Sequence, residues 1–230
     1  MISFELIDIV GWEAAIRGMR NPMNSWDKSD SGYGPVPGVY KVGPNDLKLM
    51  RNLYKASLDN NFAHRKFLRQ IMISFDITAP LYWWKEFDTY KVGTTANSTS
   101  TMHKIHSKEF TRDDFSHEHL MYTSLITLDK TIDELNFWRD IYLNGGSSDE
   151  DPTGQTRRIF EPKDKEVWWQ LIQLLPSTFN QTRTITMNYE NAVSIIKQRT
   201  GHKLDEWRIF VKFLNDLPHL EEIITLEDEE

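Results

Sequence analysis

The 230-residue sequence contains no cysteine. That absence excludes disulfides, thiolate metal sites and every mechanism built on a cysteine nucleophile. The chain also lacks a surplus of basic charge: 27 Lys and Arg stand against 34 Asp and Glu, for a net charge of −7. Broad, sequence-independent nucleic-acid binding needs clustered cations and is not expected here. Part of the negative charge lies in the tail Leu226–Glu230, expected as a solvated end. No run approaches the roughly 20 apolar residues of a membrane span. The opening MISFELIDIV lacks the basic stretch, apolar run and small-residue cleavage site of a signal peptide, so a cytoplasmic location is the expectation.

Aromatic residues are plentiful instead. The 8 Trp, 12 Phe and 8 Tyr are enough for a sizeable core. At this length one domain over 1–230 is expected. Irregular loops interrupt it near 21–45, which holds Pro22, Pro35, Pro37 and Pro44, and near 144–155, NGGSSDEDPTGQ.

Ile2 to Ile9 reads as a strand and Trp12 to Met19 as a short amphipathic helix. Asp46 to Leu58 reads as a helix with Asp46 near its N-cap and Leu49, Leu53 and Ala56 on one face. Ile71, Ile73, Phe75 and Ile77 alternate with Met72, Ser74 and Asp76, which predicts a strand with one buried face. Pro80 fits the first turn of the helix that follows. Further helices are predicted over Asp114–Leu143, Pro162–Leu175, Tyr189–Arg199 and Leu204–Leu214, with a short strand over Arg183–Met187. Strands and helices do not alternate as βαβ units, which predicts α+β.

The polar stretch Thr89–Thr101, TYKVGTTANSTST, carries one cation, one amide and many hydroxyls. Such groups hold phosphate oxygens, but the stretch has no phosphate-loop motif, so a polar connector is the alternative reading. Two His pairs, His103 with His106 and His117 with His119, raise a metal site. No third or fourth ligand and no HExxH motif accompany them, so no metal is expected.

Residues Ala63 to His103 resemble the core of the flavin-dependent thymidylate synthases. FDITAP, Phe75 to Pro80, sits where that family ends a strand in FxVxAP. His64 falls at the first His of the upstream GHxxxxEH-like segment, and TYKVGT, Thr89 to Thr94, falls at RHRxxS. NSTSTMH, Asn97 to His103, falls at NExSxRY after one extra residue. Near the C-terminus, QLLP, Gln173 to Pro176, resembles the RxxLP segment; Asn188 and Arg199 follow at the family's spacings, and the stretch Arg199–Trp207 resembles its closing R…QWE. The resemblance covers most of the chain outside the two loops.

The resemblance implies an antiparallel sheet packed with helices, a homotetramer, and a flavoprotein. It implies transfer of a one-carbon unit from methylenetetrahydrofolate to C5 of a uracil nucleotide or related pyrimidine, with FAD as cofactor and NADPH as reductant. It implies His64, Tyr90, Lys91, Asn97, Asn188 and Ser194 at the cofactor, and Glu86, Ser98, Ser100 and Arg199 at the substrate. The chain departs from the pattern where charge matters most. Thr89, Tyr90 and Lys91 replace Arg-His-Arg, Glu86 replaces Gln, Ser98 replaces Glu, Met102 and Ile172 replace Arg, and Glu190 and Ser194 replace an Arg and an Asn. Lys91 cannot form the planar two-pronged contact of Arg. Each lost charge-assisted hydrogen bond removes about 1.5–3 kcal/mol. Arg65, Lys66, Arg69, Lys104 and Arg183 are candidates to replace the missing cations. A catalytically diverged protein that senses or sequesters a nucleotide on the same fold is the alternative function. Arg199 could equally complement a helix dipole, Asn188 cap a helix, and His64 be structural.

Overall fold

The computed structural model describes residues 2–36, 38–59, 61–148 and 158–225. Sixteen strands and helices follow one another in the order β1 (Ser3–Val10), α1 (Trp12–Arg20), β2 (Gly32–Tyr33), β3 (Tyr40–Lys41), α2 (Pro44–Ala56), β4 (Met72–Pro80), α3 (Leu81–Phe87), β5 (Thr95–Ser98), α4 (Tyr122–Asn144), β6 (Gly146–Ser147), β7 (Ile159–Phe160), α5 (Lys165–Leu174), β8 (Asn180–Asn188), α6 (Tyr189–Arg199), α7 (Asp205–Asn215) and α8 (Leu220–Ile224). A four-stranded antiparallel sheet has the order β1-β4-β8-β5, and β2-β3 and β6-β7 are two-stranded pairs. The α+β expectation holds. Among the described residues, no helix is long and apolar enough to cross a membrane.

The chain divides into two compact units. One comprises residues 1–3, 78–88 and 98–183; the other comprises 4–77, 89–97 and 184–230. In the first unit, α4 packs on α5. Leu128, Ile132 and Leu135 meet Leu171, Phe110 and Phe115 there. The seven-residue α3 is too short to be stable by itself. It is held by burial of Trp83, Trp84 and Phe87, whose rings lie 5.0–5.3 Å apart, and by the Trp84 indole N–H donating to the Gln181 carbonyl at 2.9 Å.

In the second unit the period-two pattern of β4 works as predicted. Ile73, Phe75 and Ile77 are fully buried. Phe75 meets Phe213 at 5.4 Å and Phe210 at 6.0 Å, and Phe4 stacks on Phe213 at 4.7 Å. The opposite face is polar and paired. Ser74 shares a hydrogen bond with Thr186, and Thr184 donates to Asp76. A 3-10 segment, Phe62–Arg69, packs on α1, α2 and α6.

Several boundaries differ from expectation. Residues 21–45 are not simply a loop: they contain 3-10 turns at Asn21–Met23 and Trp26–Lys28 and the β2-β3 hairpin. Asp46 is not the N-cap of α2; Gly43 is, and Asp46 lies fully buried in the first turn. Its carboxylate accepts from Arg20 Nε (2.5 Å), Ser29 Oγ (2.7 Å), Ser31 Oγ (2.7 Å) and the Asp30 amide (3.2 Å). The buried face of α2 is Asp46, Met50 and Tyr54, not Leu49, Leu53 and Ala56. Residues 114–121 do not join α4, because Phe115 bridges to Phe179 and the Ser116 amide donates to Thr178, which keeps the backbone extended. Thr95–Ser98 forms an edge strand within the expected polar connector. The helices predicted from Pro162 and Leu204 begin at Lys165 and Asp205, and α8 was not predicted. Residues 149–157, which include the end of the second expected loop, and the tail 226–230 lie outside the described residues.

Burial alone would raise the Asp46 pKa, but hydrogen bonds from Ser31, Ser29 and Arg20 and the Arg20 charge hold it below the usual carboxylate value. The unfolded chain therefore takes up this proton first as pH falls. The stability Asp46 contributes is complete above the ordinary Asp pKa and is lost as pH drops through the lower folded value. Asp46→Asn is expected to cost about 3 kcal/mol at neutral pH and to flatten the acid limb. Urea unfolding across a pH series checks both.

Candidate functional site

In the second unit, Arg199 is a fixed cation at the end of a helix. Arg199 closes α6, where the helix dipole favours positive charge. Its Nε donates to the Tyr90 hydroxyl at 2.8 Å. The guanidinium lies 4.4 Å from the Trp207 ring and 5.5 Å from the Tyr90 ring, and Nη1 is 3.1 Å from His202 Nε2. Tyr90 in turn donates to Gln198 Oε1 at 3.3 Å, and Gln198 Nε2 donates to Ser194 Oγ at 2.8 Å. Tyr90, Ser194 and Arg199, separated by up to 109 residues, thus share one hydrogen-bonded chain along α6.

The other end of α6 holds the same loop. Asn188 is the N-cap, its side chain accepting from the Asn191 amide at 3.0 Å. Asn191 Nδ2 donates to the Val92 carbonyl at 2.6 Å. Gly93 has φ +75°, and a Cβ there would lie 2.9 Å from Asn191 Oδ1 and 3.2 Å from Asn188 Nδ2. Glycine is required on both counts. The capping reading of Asn188 is therefore realised in the structure. Thr94 Oγ1, beside this loop, is buried without a hydrogen-bond partner among the described residues. Lys91 and Asn97 are exposed.

Two proposed replacement cations are consumed inside the chain. Arg65 makes a two-pronged pair with Glu190 (2.8–3.1 Å), both side chains at most one-fifth exposed. Arg183 lies 4.3 Å from the Trp84 ring and pairs with Asp88 at 2.8 Å in the first unit. Glu190 therefore does not project a bare negative charge.

A cavity of about 810 Å³ opens in the second unit. Met19, Met23, Leu49, Leu53 and Phe67 give it apolar walls, and His64, Lys66 and Gln70 line it from the 3-10 segment and its end. Asn61 Nδ2 lies 2.8 Å from His64 Nε2. Leu49 and Leu53, expected on one face of the helix, are half-buried and line this cavity. The helical period says which residues of α2 are apolar, not whether a neighbour covers them, so it did not point to this wall.

Glu86, Ser98 and Ser100 belong to the first unit. Glu86 is half-buried on α3, and Ser98 ends β5, exposed. Ser100 Oγ accepts from the Met102 and His103 amides at 3.2 and 2.8 Å. It lines a second cavity, of about 480 Å³. Among the described residues, no cluster of three or more His, Asp or Glu is placed to hold a metal. His117 Nδ1 contacts the Phe115 carbonyl, and the His106 ring lies 4.8 Å from Tyr142.

No protein-family model matches the sequence, and no curated protein matches it. Solved structures do match. Two of thymidylate synthase X from Helicobacter pylori, each with FAD and dUMP, are 14% identical with TM-scores of 0.61 and 0.62; the alignments cover 97% and 96% of this chain and 97% of the other. A UMP/dUMP methylase, PolB from Streptomyces cacaoi, bound with 5-Br dUMP, is 14% identical with a TM-score of 0.60, over 94% of this chain and 88% of that one. The chain therefore has the flavin-dependent thymidylate synthase fold, in strongly divergent form. PolB shares that fold.

Gly93→Ala forces a left-handed backbone and a close contact at once. It is expected to cost about 1–3 kcal/mol and to release the 89–94 loop from α6. Urea unfolding and increased proteolysis within that loop check this.

Proposed function

We propose that the protein is a flavin-dependent thymidylate synthase-like enzyme. It binds FAD and a uracil nucleotide or related pyrimidine and transfers a one-carbon unit from methylenetetrahydrofolate to C5, with NADPH as reductant. The observation that carries this reading is the clamped guanidinium of Arg199 beside the 89–94 loop, in a fold shared with proteins solved with FAD and dUMP.

The residues present fit a flavin. The cavity at His64 falls in the range of roughly 300–1,000 Å³ that takes such ligands, with apolar walls for a flat ring and Lys66 for an anionic arm. The orphaned Thr94 hydroxyl is a donor in want of an acceptor. His64, Tyr90, Lys91, Asn97, Asn188 and Ser194 are the proposed cofactor residues, and Glu86, Ser98, Ser100 and Arg199 the proposed substrate residues. Bound flavin supplies the redox chemistry, so no cysteine nucleophile is needed. The chain's own groups bind, orient and neutralise charge: Arg199 offers a guanidinium whose direction is already fixed by Tyr90 and Trp207. The homotetramer implied by the family resemblance belongs to this proposal.

One observation favours the second reading, a nucleotide-binding protein without turnover. Glu190 stands where the family carries an Arg, and it is locked to Arg65. Fewer free cations then face the ligand.

Incubation with FAD, dUMP, methylenetetrahydrofolate and NADPH separates the two. Formation of the C5-methylated nucleotide supports the enzyme; nucleotide binding without product supports the binding protein; no response to FAD or any pyrimidine nucleotide removes both. Arg199→Ala is expected to weaken nucleotide affinity by about tenfold or more while the protein stays folded, measured by calorimetry and circular dichroism. Unchanged affinity would leave Arg199 as a helix-terminal stabiliser only.

A further inference from the structure

One buried ion pair joins the elements that wall the cavity at His64. Arg20 ends α1, and Asp46 lies in the first turn of α2. Their side chains are 5% and 0% exposed and meet at 2.5 Å. Gly18 and Met19, just before Arg20, line the cavity, and so does Leu49, about one helical turn beyond Asp46. The stretch that follows α1 lines it too, at Asn21, Pro22, Met23 and Ser25. Arg20 holds that stretch with a second prong: Nη1 donates to the Ser25 carbonyl at 3.2 Å. The Ser25 amide in turn donates to the Arg20 carbonyl at 3.3 Å. Further along, Ser29 and Ser31 close on the Asp46 carboxylate, both at 2.7 Å. One guanidinium and one carboxylate thus tie together α1, residues 21–25 and α2.

The remaining wall is fixed separately. Gln70 lines the cavity at the end of the 3-10 segment. Its carbonyl occupies room that only a glycine leaves, because a Cβ at Gly11 would lie 2.0 Å from it.

An enclosed ion pair contributes little net stability. Both charges lose hydration, and well-packed apolar residues in their place are often as stable. What the pair supplies is direction. The planar fork of Arg20 addresses the Asp46 carboxylate and the Ser25 carbonyl at once, which neither an apolar side chain nor a lysine does.

We propose that Arg20 and Asp46 are positioning residues for the ligand of this cavity. They hold the wall at 21–25 in place before the ligand arrives, so that binding does not have to order it. Neither side chain lines the cavity; their effect runs through the wall. The proposal rests on the flavin reading above and adds two residues to it.

Titration with FAD, followed by flavin fluorescence, and amide hydrogen exchange over residues 21–31 test it. Both are measured on the full chain, unaltered and as Arg20→Lys and the double variant Arg20→Met/Asp46→Leu. Arg20→Lys keeps a positive charge for Asp46 and gives up the fork. It is expected to weaken FAD binding about tenfold and to speed exchange at the Ser25, Lys28 and Ser29 amides, while circular dichroism stays unchanged. The double variant removes the pair without stranding either charge, so its stability is expected to match that of the unaltered protein while its FAD affinity falls as in Arg20→Lys. A pair that only stabilised the fold would leave affinity unchanged in any variant that is folded. Either variant, once shown to be folded, decides the matter alone. FAD affinity equal to that of the unaltered protein would overturn the proposal and leave the flavin reading standing. Lost affinity with unchanged exchange over 21–31 would overturn it too, because the wall would not have moved. Failure of the unaltered protein to bind FAD would overturn both.

Discussion

The candidate site depends on a loop tied to both ends of one helix. Residues 89–94 are held at the C-terminus of α6 by the Tyr90–Arg199 hydrogen bond and at its N-terminus by the Asn191–Val92 hydrogen bond. Both ties run to one helix, through the Tyr90 side chain and the Val92 carbonyl. The cost is a glycine at position 93, where the backbone is left-handed and a Cβ would crowd two asparagine side chains. The gain is a guanidinium of fixed direction. Arg199 carries its charge between Tyr90 and Trp207, and a ligand that meets it need not order it first.

Charge placement is the second constraint. The chain has fewer cations than anions, and the structure uses some of its arginines internally. Arg65 is committed to Glu190, Arg183 to Asp88 and the face of Trp84, and Arg20 to Asp46. The enclosed Arg20–Asp46 and Arg65–Glu190 pairs exchange hydration for a fixed partner, and removing one member strands the other. These residues organise their surroundings and are poor choices for holding a phosphate. In its fold the chain follows the thymidylate synthases.

How far the sequence revealed this depended on distance along the chain. The strand at β4 and the helix at α6 were legible because alternation and helical period are local, and the α+β class followed from their order. The role of Asp46 was not legible. Four donors 15–26 residues away in sequence converge on it, and only folding brings them together. The start of α4 was missed for a similar reason: residues 115 and 116 pair with Phe179 and Thr178, more than 60 residues on, and stay extended although their own pattern is compatible with a helix. At the candidate site, the resemblance to the flavin-dependent thymidylate synthases singled out Asn188, Arg199 and the TYKVGT segment. It did not reveal that Tyr90 grips Arg199, that Gln198 and Trp207 complete the arrangement, or that Glu190 is neutralised by Arg65. Those are contacts between side chains, and periodicity carries no information about them.

The central claim is that this fold still serves a flavin. The most direct measurement is the visible absorption spectrum of the purified protein, followed by the spectrum of its denatured supernatant and by titration with added FAD. The account predicts a flavin spectrum on the protein, either as purified or after FAD is added, and release of that flavin on denaturation. A colourless protein that takes up no FAD at saturating concentration would contradict it.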